Sequence, residues 1–143
     1  MEEAATAFLE LFDGYENRHL ELSAKGVTKD DKGKVNAKAR TVDGPITRDL
    51  VEAHLSGEAS IGVAPVKSDS TCSWGVLDID VCDMSEDDVR KVADRVRTRC
   101  AAFRSKSRAL HVYLFASEPV PARVMHEYLV AVRKRLPRPI AKK

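Results

Sequence analysis

Asp78, Asp80 and His111 are the side chains of this sequence whose types and neighbourhoods suit phosphate and metal chemistry. The two aspartates interrupt an otherwise apolar run from Trp74 to Cys82 that is rich in strand formers. Successive side chains of a strand point to opposite faces, so Val76, Asp78, Asp80 and Cys82 share one face while Leu77, Ile79 and Val81 share the other. At a rise of ~3.3 Å per residue the two acids stand roughly 7 Å apart, near enough for their oxygens to converge on a cation. Carboxylates so placed resist ionising together unless positive charge lies between them. Hard oxygen ligands of this kind suit Mg²⁺ or Mn²⁺, which also bind substrate phosphates. A bare Asp-x-Asp at a strand end, solvated and idle, fits the same residues.

A second strand strengthens the pattern. From Ala109 to Phe115, Leu110, Val112 and Leu114 alternate with His111, Tyr113 and Phe115. With the aliphatic faces of both strands on one core, His111 falls on the acidic face. Just upstream, Arg104, Ser105, Lys106, Ser107 and Arg108 form a run of hydroxyls and cations able to hold phosphate oxygens.

The elements that must position these groups follow from periodicity. Ser85 to Asp88 reads as a capping box, and Val89, Val92, Ala93, Val96, Cys100 and Phe103 recur at helical spacing. Strand, helix and the His111 strand then make a crossover, which favours parallel strands. Pro121 stands as the first residue of a last helix through Val124, Met125, Tyr128, Leu129 and Val132, closed by Pro137. Upstream, Glu2 to Phe12 reads as a helix stopped by Asp13-Gly14, and His19 to Leu22 as a short strand. Lys34 to Arg40 alternates as one side of an edge hairpin around Asp30 to Gly33, with Lys32, Lys34, Lys38 and Arg40 as solvated edge charges or facing nucleic acid. Thr47 caps a helix over 46–55 that Gly57 ends, with His54 packed on its apolar face. Ser60 to Val66 reads as a strand in which Gly62 permits close backbone approach. The fold class is α/β (α+β), a single domain over 1–143.

The totals describe a globular chain of 143 residues, 43% hydrophobic and 32% charged, whose net charge of +2 does not by itself argue for nucleic acid. The distribution says more, since 133–143 holds six Lys or Arg and no acid. Three cysteines, Cys72, Cys82 and Cys100, form no C-x-x-C and read as reduced thiols of a cytoplasmic protein. No secretory signal or membrane span is legible.

The hydrophobic-Asp-hydrophobic-Asp strand, the helical crossover and the serine-containing loop into Leu110-His111-Val112-Tyr113-Leu114-Phe115 resemble the archaeo-eukaryotic primase superfamily, the primase-polymerases. The likeness leans to bacterial, plasmid and phage-type members and to primases of mobile-element conflict systems. Ala53 to Gly57, Ile61 to Pro65 and Pro119 to Ala122 add to it; it runs from about Phe8 to Leu129, and only 74–115 is specific. The resemblance implies an RRM-like catalytic palm behind an N-terminal α/β extension, and two-metal nucleotidyl transfer with Mg²⁺ or Mn²⁺. By the same resemblance, Asp78 and Asp80 match the metal-binding pair, His111 the histidine at the incoming nucleotide's phosphates, and Ser105, Lys106 and Ser107 the phosphate-side loop. Arg108-Ala109 stands where relatives often have small residues, so Arg108 joins the phosphate-binding candidates. The implied partners are nucleoside triphosphates, a single-stranded DNA template and a helicase or other replication protein.

The family's third metal carboxylate has no match. After His111 the chain offers Glu118, read as part of a Pro-flanked loop, and Glu127, within a helix. Truncation before a third motif is the expectation this raises. Two other readings stand beside primer synthesis: a non-catalytic nucleotide- or single-strand-binding module of the same fold, and a metal-dependent nuclease.

Overall fold

A computed structural model describes residues 2–22, 28–29, 35–36, 39–81, 84–105 and 109–137. The chain divides into two compact units, Met1–Thr71 and Cys72–Lys143. It is mixed α/β, compatible with an α+β, RRM-like palm.

In the first unit, α1 (Glu2–Leu11) is followed by β1 (Arg18–Leu22), the short β2 (Thr28–Lys29) and β3 (Val35–Asn36), β4 (Ala39–Asp43), α2 (Arg48–Leu55) and β5 (Ser60–Gly62). β1 is the centre of an antiparallel sheet ordered β4-β1-β5, while β2 and β3 pair as a separate hairpin. Thr47 accepts from the Leu50 N–H at 3.3 Å and so caps α2, as the spacing predicts. Gly57, at φ +83°, lets the chain turn after the helix where a Cβ would be strained. His54 packs edge-on to Phe8 at 5.8 Å and bonds through Nδ1 with the Ala59 carbonyl at 3.2 Å, the packed histidine the sequence suggests. Gly62 lies opposite Leu20, whose Cβ would stand 3.1 Å from a Cβ added there, which accounts for the glycine.

The strand expected over 60–66 is shorter than its apolar run. It ends at Gly62, because Pro65 has no N–H for the ladder and the Ala64 carbonyl is taken by the Tyr15 N–H at 2.8 Å. His19, on β1, is buried with Nδ1 2.9 Å from the Gly44 carbonyl and Nε2 3.3 Å from Glu21. The turn at 30–33 and the side chains of Lys32, Lys34 and Lys38 lie outside the described residues.

The second unit contains β6 (Thr71–Ile79), α3 (Glu86–Val96), β7 (Cys100–Arg104), β8 (Leu110–Pro121) and α4 (Ala122–Lys134). Its sheet is ordered β6-β8-β7, and β7 runs antiparallel to β8 with Phe103 opposite His111. Asp78 meets His111, and Trp74, earlier on β6, meets Tyr113, later on β8, so β6 and β8 also run antiparallel. The element order β-α-β-β-α is that of the split β-α-β motif through its second helix.

This arrangement corrects the expected crossover. The strand parallel to β6 is β7, and the His111 strand lies antiparallel between them. Cys100 and Phe103 belong to β7 rather than to the helix, whose spacing they match by coincidence. Helix α3 ends at Val96, where Arg97 caps it; the capping box at its start forms as read, Ser85 accepting from the Asp88 N–H at 3.1 Å. Pro121 is the N-cap of α4 rather than its first residue.

The core of this unit joins Ile79 on β6 and Leu110 and Val112 on β8 to Val92 and Val96 of α3 and to Leu136 beyond α4. Both helices therefore cover one face of the sheet. The other face carries Trp74, Val76, Asp78, Phe103, His111, Tyr113 and Phe115.

Candidate active site

Strand alternation delivers the acid and the imidazole to one surface, and sheet pairing brings them together. His111 Nε2 lies 3.5 Å from Asp78 Oδ1, with both side chains partly exposed at 39% and 67%. That distance is an ion-pair contact when the ring is protonated, longer than a good hydrogen bond.

Tyr113 is the hub of the aromatic side chains on this face. Its ring centroid lies 6.1 Å from Trp74, 5.7 Å from Phe103 in an edge-to-face contact, and 6.1 Å from Phe115, which stacks on it. His111 stands edge-on to it at 6.2 Å. Burial pushes the Tyr113 phenol above its ordinary value, and the Asp78 carboxylate adds to the shift by opposing a second negative charge nearby. Phe103 is 55% exposed, a large ring left on the surface directly opposite His111.

Asp80 lies one residue beyond the end of β6 and is exposed. With Asp78 it borders a cavity of about 250 Å³ at the end of that strand, which Arg133 and Leu136 also line. Among the described residues Asp80 has no ion-pair partner. Two exposed carboxylates of this kind fit Mg²⁺, which keeps most of its waters and takes one or two protein carboxylates together with substrate phosphates. Among the described residues, no group of three or more His, Cys, Asp or Glu gathers to hold a metal by itself.

The basic run after β7 divides. Arg104 does not serve the acidic face: it pairs across the sheet with Leu110, a core position, and its Nη2 donates to Glu86 Oε1 at 2.5 Å and to the Met84 carbonyl at 3.2 Å. The Ser105 N–H donates to the Ala109 carbonyl at 2.9 Å, closing the β7–β8 hairpin. Lys106, Ser107, Arg108 and Cys82 lie outside the described residues. Glu118 stands within β8 rather than in a loop, seven residues past His111, and its even spacing from Leu110 and Val112 assigns it to their face. Glu127 sits on α4, 3.7 Å from Arg123. Neither joins the Asp78 surface.

Two features of the site escape the sequence reading. The first is β7, whose signal is length: thirteen residues separate Val96 from Leu110, too many for an ordinary connection without an element of its own. The second is Phe103 beside His111, which only the β7–β8 register reveals.

A family model described as the archaeo-eukaryotic primase domain of the TOTE conflict system matches residues 10–138. The search of curated proteins finds no match.

Proposed function

From the premise that the chain belongs to the archaeo-eukaryotic primase domain family of TOTE conflict systems, we propose that it is a DNA primase-polymerase, making or extending primers on single-stranded DNA. Membership supports a primase-like nucleotidyltransferase at the level of the superfamily, whose members generally are catalytic and use divalent metals. The match spans both compact units, which favours reading them as one primase-polymerase-like domain. Among the described residues no helix is long and apolar enough to cross a membrane.

The observation that carries the proposal is the pairing of Asp78 with His111 at the exposed end of one sheet face, with a second exposed acid two residues on. In this reading Asp78 and Asp80 hold Mg²⁺ or Mn²⁺. When bound, the cation supplies charge neutralisation at the transferring phosphoryl group and acidifies the attacking hydroxyl. His111 donates from Nε2 to a phosphate oxygen of the incoming nucleotide, and the run Ser105, Lys106, Ser107 and Arg108 supplies further hydroxyl and cationic donors to the phosphates. Positioning and fixed charge provide most of the acceleration.

The non-catalytic alternative draws on one observation, the lack of a third carboxylate near Asp78 among the described residues. Primer synthesis on single-stranded DNA with Mg²⁺ or Mn²⁺ separates the readings. Asp78→Ala/Asp80→Ala is expected to lower incorporation by on the order of 10²–10³-fold or more, the scale of removing a preorganised electrostatic group. Incorporation unaffected by the double change refutes the catalytic reading. Cleavage of labelled oligonucleotide without added nucleotides points instead to a nuclease.

A further inference from the structure

On the helical side of the second unit, away from Asp78 and His111, three guanidiniums surround one small hollow. Arg95 lies in the last turn of α3, Arg99 in the turn that leads to β7, and Arg135 at the C-cap of α4. With Thr98 and Tyr128 they line a cavity of about 100 Å³ that Val96 also borders, and among the described residues no carboxylate lines it. Two of them are held in place by neutral partners. Arg99 Nη1 donates to the Tyr128 hydroxyl at 3.3 Å, and Arg95 Nε donates to the Arg135 carbonyl at 3.2 Å. Each guanidinium has five N–H donors, so most remain available.

Among the described residues of the unit, no ion pair neutralises these charges. Its ion pairs among the described residues join Lys91 to Asp87 and Asp88, Arg104 to Glu86, His111 to Asp78 and Arg123 to Glu127. Asp94 lines an adjoining hollow with Arg95 and Arg135 yet forms an ion pair with neither. Cations at helix C-termini do offset the macrodipole, but each helix end supplies only about half a negative charge. Two ends balance roughly one of the three unit charges. The remaining like charges repel one another across the hollow, and an anion seated there relieves that repulsion.

We propose that Arg95, Arg99 and Arg135 form a phosphate-binding site for the backbone of a single-stranded nucleic acid, separate from the Asp78 and His111 face. Size selects the ligand. Pockets for whole small molecules run to about 300–1,000 Å³, whereas this hollow accepts a phosphate group and leaves the rest of the ligand outside. Arg95, Arg99 and Thr98 are exposed, as a site that follows a strand over a surface requires. The guanidinium fork suits phosphate oxygens.

The test measures anisotropy of a fluorescein-labelled oligothymidylate bound to the full chain between 50 and 200 mM KCl, without metal or nucleoside triphosphate. Binding is thus read independently of nucleotidyl transfer, and failure of either reading leaves the other standing. Single strands release about 0.7 counterion per phosphate contact. Arg95→Gln/Arg99→Gln/Arg135→Gln is therefore expected to flatten the slope of log K against log salt by about 2, and Arg135→Gln alone by about 0.7. Arg135 makes no side-chain hydrogen bond among the described residues, so the single variant serves even where the triple one folds poorly. The triple Arg→Lys variant should keep most of the slope, which a purely structural role would not explain. Unchanged slope and affinity in folded Gln variants overturn the proposal. So does Arg-dependent binding of inorganic tripolyphosphate with oligonucleotide binding unaltered, which assigns the site to a free phosphate.

Discussion

Gly75→Ala tests the packing that holds β6 in place and with it Asp78. Gly75 faces α4, and a Cβ added there would stand 2.8 Å from Met125 Cγ, 2.9 Å from Leu129 Cδ1 and 3.1 Å from Met125 Sδ. Carbon atoms at van der Waals contact sit about 3.5–4.0 Å apart, so the methyl overlaps two side chains by more than half an ångström. Met125 is buried at 5% exposure and cannot swing into solvent without leaving a void. Overpacking of this kind costs about 1–3 kcal/mol, and removing a strand glycine returns about 0.5–1 kcal/mol. The net expectation is a loss of about 1 kcal/mol, roughly a 4–8 °C fall in Tm for a cooperative unit of the size of Cys72–Lys143. A double-mutant cycle with Met125→Ala identifies the cause. Met125→Ala alone should cost about 2–5 kcal/mol for the lost burial and cavity. In the double variant the new methyl fills part of that cavity, so the two changes should couple favourably by at least 0.5 kcal/mol. A neutral or stabilising Gly75→Ala, or additivity within about 0.3 kcal/mol, refutes the packing argument.

Two further outcomes follow from the electrostatics. Tyr113 should ionise above the ordinary tyrosine range in a spectrophotometric titration, and Asp78→Asn should bring it part of the way back, burial being the larger cause; an unmoved titration separates the two side chains. In the first unit, Ser68 hydrogen bonds hold Glu16 below the ordinary carboxylate range, Arg40 does the same for Glu21, and Thr71 for Asp69. Because these values are depressed on folding, their contribution is present above the unfolded-state values and is lost as pH falls through the folded ones. Ser68→Ala should therefore flatten the acid limb of a denaturant-midpoint profile below about pH 4.5, the ordinary glutamate value; an identical limb refutes the Glu16 assignment.

Local chemistry, legible in a string of residues, accounts for much of what the sequence conveys. Thr47 and Ser85 mark helix starts because a hydroxyl is needed where backbone N–H groups lack partners. Alternation assigns Asp78 and His111 to faces because the strand period is two. The sheet order is of another kind. Cys100 and Phe103 satisfy a helical spacing from Val96 as readily as a strand, and only pairing with β8 decides between them. Likewise Arg104 reads as one more cation of a phosphate loop until its register opposite Leu110 turns it toward Glu86.

The sequence by itself determined which residues carry charge, which faces are apolar and where helices begin, since these depend on neighbours a few positions apart. Only the tertiary structure decided that β8 lies between β6 and β7, that Asp78 meets His111, and that Arg95, Arg99 and Arg135 share one hollow. Such contacts join residues tens of positions apart. Their choice among competing pairings rests on burying Ile79, Leu110 and Val112 against α3 and α4 together, a sum over the whole core that no local stretch contains.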